Sequence, residues 1–217
     1  MAIIAFFFLF LLFFNLIFLI KIISDIQSAR GGAPYVGIPI EVAQEALKLA
    51  GVNNNDTLYD LGCGDGRVLH LAIEDFNINH AVGYEIALWP YLKGKLKTQN
   101  SKLKTTTQNL KLKIYRKDLL KSNISEATIV FLYLYPKLLE KLVPKLKSEL
   151  PAGARVISCR YPLPPVALAK GGSVPTRVGT PPNNVFKIVK TGEVKGIKIW
   201  VYTDVKTKCR ILGLKSV

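Results

Sequence analysis

Ala2 to Ile20 carries no charge and one polar side chain, Asn15. As a helix, a run of this length spans about 29 Å, close to the ~30 Å hydrocarbon thickness of a bilayer. Beyond it the pattern becomes that of a folded domain. Ile40 to Ala50 places Val42, Ala46, Leu47, Leu49 and Ala50 at helical spacing, and Gly51 closes the helix. Short β-type runs then alternate with helical ones: strand Thr57–Leu61, helix Val68–Asp75, strand His80–Ile86, helix Ala87–Gln99 and strand Lys111–Arg116. Pro90 falls in a first turn, where a missing N–H is tolerated. Ala127–Leu134 is almost continuously apolar, the mark of a strand buried on both faces of a parallel sheet. An amphipathic helix, Lys137–Leu150, is expected to kink at Pro144, and a strand, Arg155–Tyr161, follows it. Pro162 to Asn184 has no periodicity and reads as a long loop at a site rim. The chain closes with β runs Val185–Val189 and Ile197–Tyr202, joined by a hairpin loop over Lys190–Gly196.

Chemistry concentrates at Tyr59-Asp-Leu-Gly-Cys-Gly-Asp-Gly-Arg67. Strand, glycine turn and helix in immediate succession let backbone N–H groups approach a ligand closely. Asp60, beside the turn, repels a phosphate and suits a cationic or amine-bearing ligand. Roughly 20 residues beyond the glycines, Glu85 ends the next strand, where doubly wound nucleotide-binding folds place a carboxylate on ribose hydroxyls. The bland alternative is a tight turn and a solvated acid.

The apolar run admits two readings, a retained single-span anchor or a cleaved signal peptide. The absence of Lys or Arg before it, its length and the lack of a small-x-small site after it favour the anchor. The expected organisation is an anchor over residues 1–23, a linker over 24–33, its flexible part at Ser28–Ala33, and one α/β domain over 34–217. Lys21 and Arg30 follow the span, so the positive-inside rule directs the domain to the cytoplasm. A formal charge of +15, dense around Lys93, Lys95, Lys97, Lys102 and Lys104, fits a solvated face, attraction to anionic lipid, or RNA binding. RNA ranks last because no aromatic platform interleaves the lysines. Cys63, Cys159 and Cys209 are scattered and only two histidines, His70 and His80, are present, so no metal site is expected. Cys63 reads as a small packing residue of the glycine turn rather than a nucleophile.

The glycine motif resembles motif I of the class I S-adenosylmethionine (SAM) methyltransferases. Pro34-Tyr-Val-x-x-Pro39, Gly83-Tyr-Glu85, Asp118, Phe131-Leu-Tyr-Leu-Tyr-Pro136 and Gly153-Ala-Arg-Val-Ile-Ser158 follow one another as in the small archaeal and mitochondrial protein lysine methyltransferases. That group includes the membrane-anchored enzyme acting on the c subunit of ATP synthase. The resemblance runs from about Pro34 to Tyr161, and more loosely over the final hairpin. It implies a Rossmann-like, seven-stranded α/β sheet whose last strand is inserted antiparallel, here with an N-terminal transmembrane helix. It implies that Asp60 and Gly62 hold the methionine end of SAM within the Cys63, Gly64 and Gly66 turn, that Glu85 binds the ribose, and that Asp118 meets the adenine amino group. Tyr35 is implied to fold over the cofactor, while Tyr133, Tyr135 and Pro136 position the acceptor nitrogen. Gly37-Ile38 stands where the family usually has Pro-Thr. No Asn-Pro-Pro-Tyr motif follows the fourth strand, which disfavours adenine or glutamine N-methylation.

Three functions follow as expectations: a membrane-anchored protein-lysine methyltransferase with a membrane-associated protein substrate; methylation of a lipid-soluble small molecule or RNA; and a non-catalytic SAM-binding adaptor.

Overall fold

A computed structural model describes residues 1–30, 35–100, 111–164 and 186–204. Residues 31–34, Lys102, Lys104, residues 165–185 and Cys209, all part of the expectations above, lie outside the described residues.

Helix α1 runs from Ala2 to Arg30, and its most apolar stretch is uncovered by the rest of the described protein. Asn15 donates its side-chain amide to the Leu11 carbonyl at 2.8 Å, so the run's single polar side chain is satisfied within the helix itself. Length and composition suffice to cross a membrane, a test that a signal sequence also passes. The helix outruns the expected anchor and converts residues 24–30 of the expected linker into helix. Its last turns are held by tertiary contacts that periodicity does not register: Ser24 Oγ accepts the Trp89 N–H at 3.0 Å, and Gln27 Oε1 the Leu88 N–H at 3.3 Å.

The domain alternates α2 (Ile40–Leu49), β1 (Thr57–Leu61), α3 (Arg67–Phe76), β2 (His80–Glu85), α4 (Leu88–Asn100), β3 (Lys111–Arg116), β4 (Ile129–Leu132), α5 (Pro136–Glu149), β5 (Arg155–Cys159), β6 (Phe186–Val194) and β7 (Ile197–Asp204). The strands form one seven-stranded sheet in the order β3-β2-β1-β4-β5-β7-β6, with β7 antiparallel to both neighbours. Alternate residues of each strand feed opposite faces. Leu58, Ala81, Phe131 and Ile157 pack with α2 and α3, whereas Val130, Leu132, Val156 and Tyr202 pack with α5. Phe131 and Leu132 are both fully buried, as the continuous apolar run requires.

The order reverses between β1 and β4, so the chain leaves these two strands in opposite directions and opens a crevice at their C-terminal ends. The strands feeding it are shorter than the apolar pattern predicts. β4 stops at Leu132, releasing Tyr133 and Leu134 from the sheet. β5 stops at Cys159 because Arg160 adopts a left-handed φ of 77°. Conversely, β6 continues to Val194, leaving a two-residue turn at Lys195-Gly196 with φ of 51° and 71°. Two successive positive φ values suit the twist of a tight hairpin, so most of the loop expected at Lys190–Gly196 is strand. A 3₁₀ turn at Leu119–Lys121, begun by Asp118, has no counterpart in the periodicity.

Candidate active site

The glycine turn is built by its neighbours. The N–H groups of Gly62 and Cys63 both donate to the Tyr84 carbonyl, at 2.9 and 3.1 Å, folding the end of β1 over β2. A Cβ on Gly83 would lie 2.6 Å from Cys63 Sγ and from Leu69, so glycine in β2 is what lets the turn approach. Cys63 is buried, and burial pushes its thiol well above the usual range, consistent with packing rather than nucleophilic use. Gly66 begins α3, and its N–H donates to the Cys63 carbonyl at 2.8 Å.

Two carboxylates meet behind this turn, and their surroundings differ. Glu85 accepts the Gly64 N–H on Oε2 at 2.9 Å and the Ala87 N–H on Oε1 at 2.7 Å. Burial raises its pKa, and these two donors work against that rise. Asp60 is almost fully buried, and no hydrogen bond from the described residues reaches it. Burial, then the negative charges of Glu85 and Asp65, push it well above the usual carboxylate range. Asp60 lines the recess beside the turn, so its carboxyl faces a space a ligand can enter while accepting from no donor among the described residues. It fits a site completed by a cationic or N–H-bearing ligand.

Asp60, Gly62, Cys63 and Gly64 line a narrow recess roofed by Tyr35 to Ile38. Arg67 fastens that roof. Its Nε and Nη2 donate to Asp65 at 2.9 Å each, and Nη1 donates to the Ile38 carbonyl at 3.1 Å. The guanidinium lies where a side chain on Gly37 would project, so Gly37 at the position of the family's proline makes room for this fork. Burial alone would raise Asp65, but the hydrogen bonds from Arg67 bring it below its ordinary value. Tyr35 rests its ring on Gly64, whose φ is 57°. Gly64→Ala therefore places a methyl group in the ring and strains the backbone, costing about 1–2 kcal/mol. Thermal melts should record that loss, and adding Tyr35→Ala should recover only the steric part of it.

The recess opens into a cleft of about 820 Å³ that includes open solvent. Glu85, Lys117 and Asp118 stand on one side of it, and Tyr133, Tyr135, Arg160 and Tyr161 on the other. Asp118 Oδ1 accepts the Leu120 N–H at 2.9 Å, leaving Oδ2 without a partner among the described residues. Tyr135 and Tyr161 face each other with ring centroids 6.1 Å apart. Arg160 Nη1 donates to the Tyr133 hydroxyl at 3.3 Å. The structure thus gathers Tyr35, Asp60, Gly62, Cys63, Gly64, Glu85, Asp118, Tyr133 and Tyr135 around one crevice. Gly66 shapes the turn, and exposed Pro136 starts α5 at its first position, where proline's fixed φ suits a helix; neither lines the cleft.

Arg67, Asp65, Arg160 and Tyr161 are the residues that the sequence reading leaves without a role. Arg67 stands inside the glycine motif, and Arg160-Tyr161 directly follows a strand whose end borders the switch point, so position alone pointed to them. The face of β1 to β3 opposite α2 and α3 holds a row of tyrosines, Tyr59, Tyr84 and Tyr115, with successive centroids 6.1 and 5.9 Å apart. Two of the three are buried, so the row serves the core rather than offering a stacking platform. Among the described residues no group of three or more His, Cys, Asp or Glu side chains is arranged to hold a metal ion.

Sheet order, reversed β7, glycine turn and paired acids together define a class I methyltransferase. Residues 60–170 match the ANTKMT methyltransferase domain, and the chain belongs to that family. It is 36% identical over 128 residues to a protein-lysine N-methyltransferase of Saccharolobus islandicus, covering 59% of this chain and 76% of that one. It is 34% identical over 143 residues to the adenine nucleotide translocase lysine N-methyltransferase of Mus musculus, covering 64% of this chain and 59% of the relative. The chain thus spans under two thirds of that mouse relative's length. Among solved structures, an RNA methyltransferase from Salinibacter ruber in complex with S-adenosyl-L-homocysteine superposes with a TM-score of 0.61 at 28% identity. That match covers 78% of this chain and 94% of the other.

Proposed function

We propose that this protein transfers the methyl group of SAM to the ε-amine of a lysine in a membrane-associated protein. The observation that carries the reading is the buried, unpartnered Asp60 at the junction of a glycine turn and a tyrosine-walled cleft. Asp60 and Gly62 suit the amino-acid end of SAM, whose ammonium gives the carboxylate its missing donor. Glu85 keeps lone pairs for the ribose hydroxyls, and the free oxygen of Asp118 suits the adenine amino group. Cys63, Gly64 and Gly66 give the turn its shape, and Tyr35 closes over it. When bound, SAM supplies an electrophilic methyl group on a sulfonium.

The remaining chemistry belongs to the acceptor. A lysine ammonium, with pKa about 10.4 in water, must lose its proton to solvent before its nitrogen has a lone pair to share. Aromatic walls at Tyr133, Tyr135 and Tyr161 disfavour the charged form by desolvation, and the nearby Arg160 guanidinium disfavours it by like charge. The Tyr133 hydroxyl and backbone carbonyls at the end of β4 are placed to aim the nitrogen, which is alignment catalysis. Pro136 fixes the helix start just beyond Tyr135.

We further assign residues 1–23 to a membrane span and 34–217 to the catalytic domain, lying on the cytoplasmic side by the charge rule. A tether of this kind favours acceptors at the same membrane. RNA is a second reading, supported by the name of the Salinibacter ruber relative and by the charge of +15. Methyl-labelled SAM with membranes and RNA from the same cells separates the two. Label that survives ribonuclease and base but is destroyed by protease supports lysine transfer, whereas ribonuclease-sensitive label overturns it.

A further inference from the structure

The span assigned above ends at residue 23, and Ser24 and Gln27 lie one and four residues further on. At helical rise those positions stand about 2–6 Å past its end. A leaflet's headgroup layer is about 5–8 Å deep, so the contact between α1 and α4 falls within it.

The surface of α4 at that level has the composition of an interface element. Trp89 and Lys93 pair across one turn, with the ammonium 5.2 Å from the ring centroid, and Tyr91 and Lys95 repeat the pair at 5.6 Å. Leu92 and Leu96 are exposed, at 36% and 57%. Tryptophan, tyrosine and lysine side chains with apolar neighbours are the residue types that settle at a bilayer's polar boundary. The attachment is not a loose one. Ser24 and Gln27 supply the N-terminal cap of α4 from another helix, accepting two backbone N–H groups that would otherwise be orphaned. Gln27 Oε1 also accepts from Arg116 Nη2 at 3.4 Å. A groove beside Gln27 continues into the active-site cleft, sharing Ile86, Lys117, Asp118 and Leu138 with it.

We propose that α1 is a rigid bracket rather than a flexible tether, and that the Trp89–Leu96 face of α4 seats in the phosphate headgroup layer of the membrane that α1 crosses. The cleft is thereby held at one height above that surface. Acceptor lysines within reach are those presented at the same level, close to the headgroups, rather than on distant soluble portions of a partner. This inference rests on the membrane-anchored reading given above.

The full-length chain carrying Trp200→Phe has Trp89 as its sole tryptophan. It is reconstituted in phosphatidylcholine–phosphatidylglycerol vesicles bearing a nitroxide either at the headgroup or deep in the acyl chain. Trp89 emission should shift to the blue and be quenched at least twofold more by the headgroup label than by the deep one. Ser24→Ala combined with Gln27→Ala, which leaves the apolar run intact, should lower that quenching by half or more. Protein that floats with vesicles while Trp89 stays unquenched overturns the bracket and leaves the anchor standing. Protein that fails to float removes the anchor itself, and the bracket with it. A blue shift that grows with protein concentration, without lipid quenching, assigns the face to a second copy and overturns the proposal.

Discussion

Asp60→Asn is expected to stabilise the cofactor-free protein and weaken SAM binding in the same variant. The native carboxylate is buried, without a donor among the described residues, beside Glu85 and Asp65. Above the folded pKa, where the native carboxylate is charged, a neutral amide avoids that desolvation penalty, gaining about 1 kcal/mol, or a melting temperature higher by about 2–4 °C for a domain of this size. The amide no longer attracts an ammonium, and losing a charge-assisted hydrogen bond of about 1.5–3 kcal/mol weakens binding by roughly ten- to a hundredfold. Its pH dependence has a definite sign. Because folding raises the Asp60 pKa, between the unfolded and folded values the cofactor-free protein holds a proton that the unfolded chain has already released. The associated stability is present below the ordinary carboxylate pKa and is lost as pH rises through the folded value. SAM affinity runs the other way across that window, rising as Asp60 ionises. Calorimetry at several pH values should show proton release on binding to the native protein and less in Asp60→Asn. Equal affinity in both proteins would remove Asp60 from the cofactor site.

Tyr133→Phe is expected to lower kcat by about ten- to a hundredfold while leaving SAM affinity within about twofold, since one positioned hydroxyl contributes on that scale. The hydroxyl accepts from Arg160, which ties the acceptor side of the cleft to the end of β5. Arg160 itself sits in a left-handed conformation that non-glycine residues seldom adopt, a strain of about 1–2 kcal/mol retained beside the cleft. If its charge lowers the acceptor's pKa, Arg160→Met moves the rising limb of the pH–rate profile to higher pH. Measuring kcat and KM separately for both variants distinguishes this from a folding defect, which would reduce active enzyme without moving that limb.

The cofactor half of this site was readable from sequence because it depends on local geometry. A strand, three glycines and a helix in succession permit few backbone paths, and Glu85 follows at the spacing one βαβ unit imposes. The acceptor half was readable only in part. Tyr133 and Tyr135 stood out at the end of an apolar run, but Arg160 and Tyr161 join them only because β5 lies next to β4, a non-local fact. The Arg67 fork was half legible: its bonds to Asp65 span two residues within the glycine motif, whereas its partner carbonyl at Ile38 lies 29 residues away. Apolar pattern overestimated β4 and β5 because it does not stop where side chains leave the sheet and stay half-buried in a cleft. It underestimated α1 because the last turns of that helix are fixed by hydrogen bonds to α4 rather than by their own periodicity.

Residue-level mapping of the methyl group decides whether lysine is the acceptor. Full-length protein in membranes receives SAM with a deuterated methyl group, alongside a Glu85→Ala blank. Labelled proteins are then digested and sequenced by mass spectrometry. Deuteromethyl groups are expected on lysine side chains of one or a few membrane proteins and absent from the blank. Deuterium confined to RNA, to lipid or to carboxylate esters, with membrane-protein lysines unlabelled, would contradict transfer to lysine.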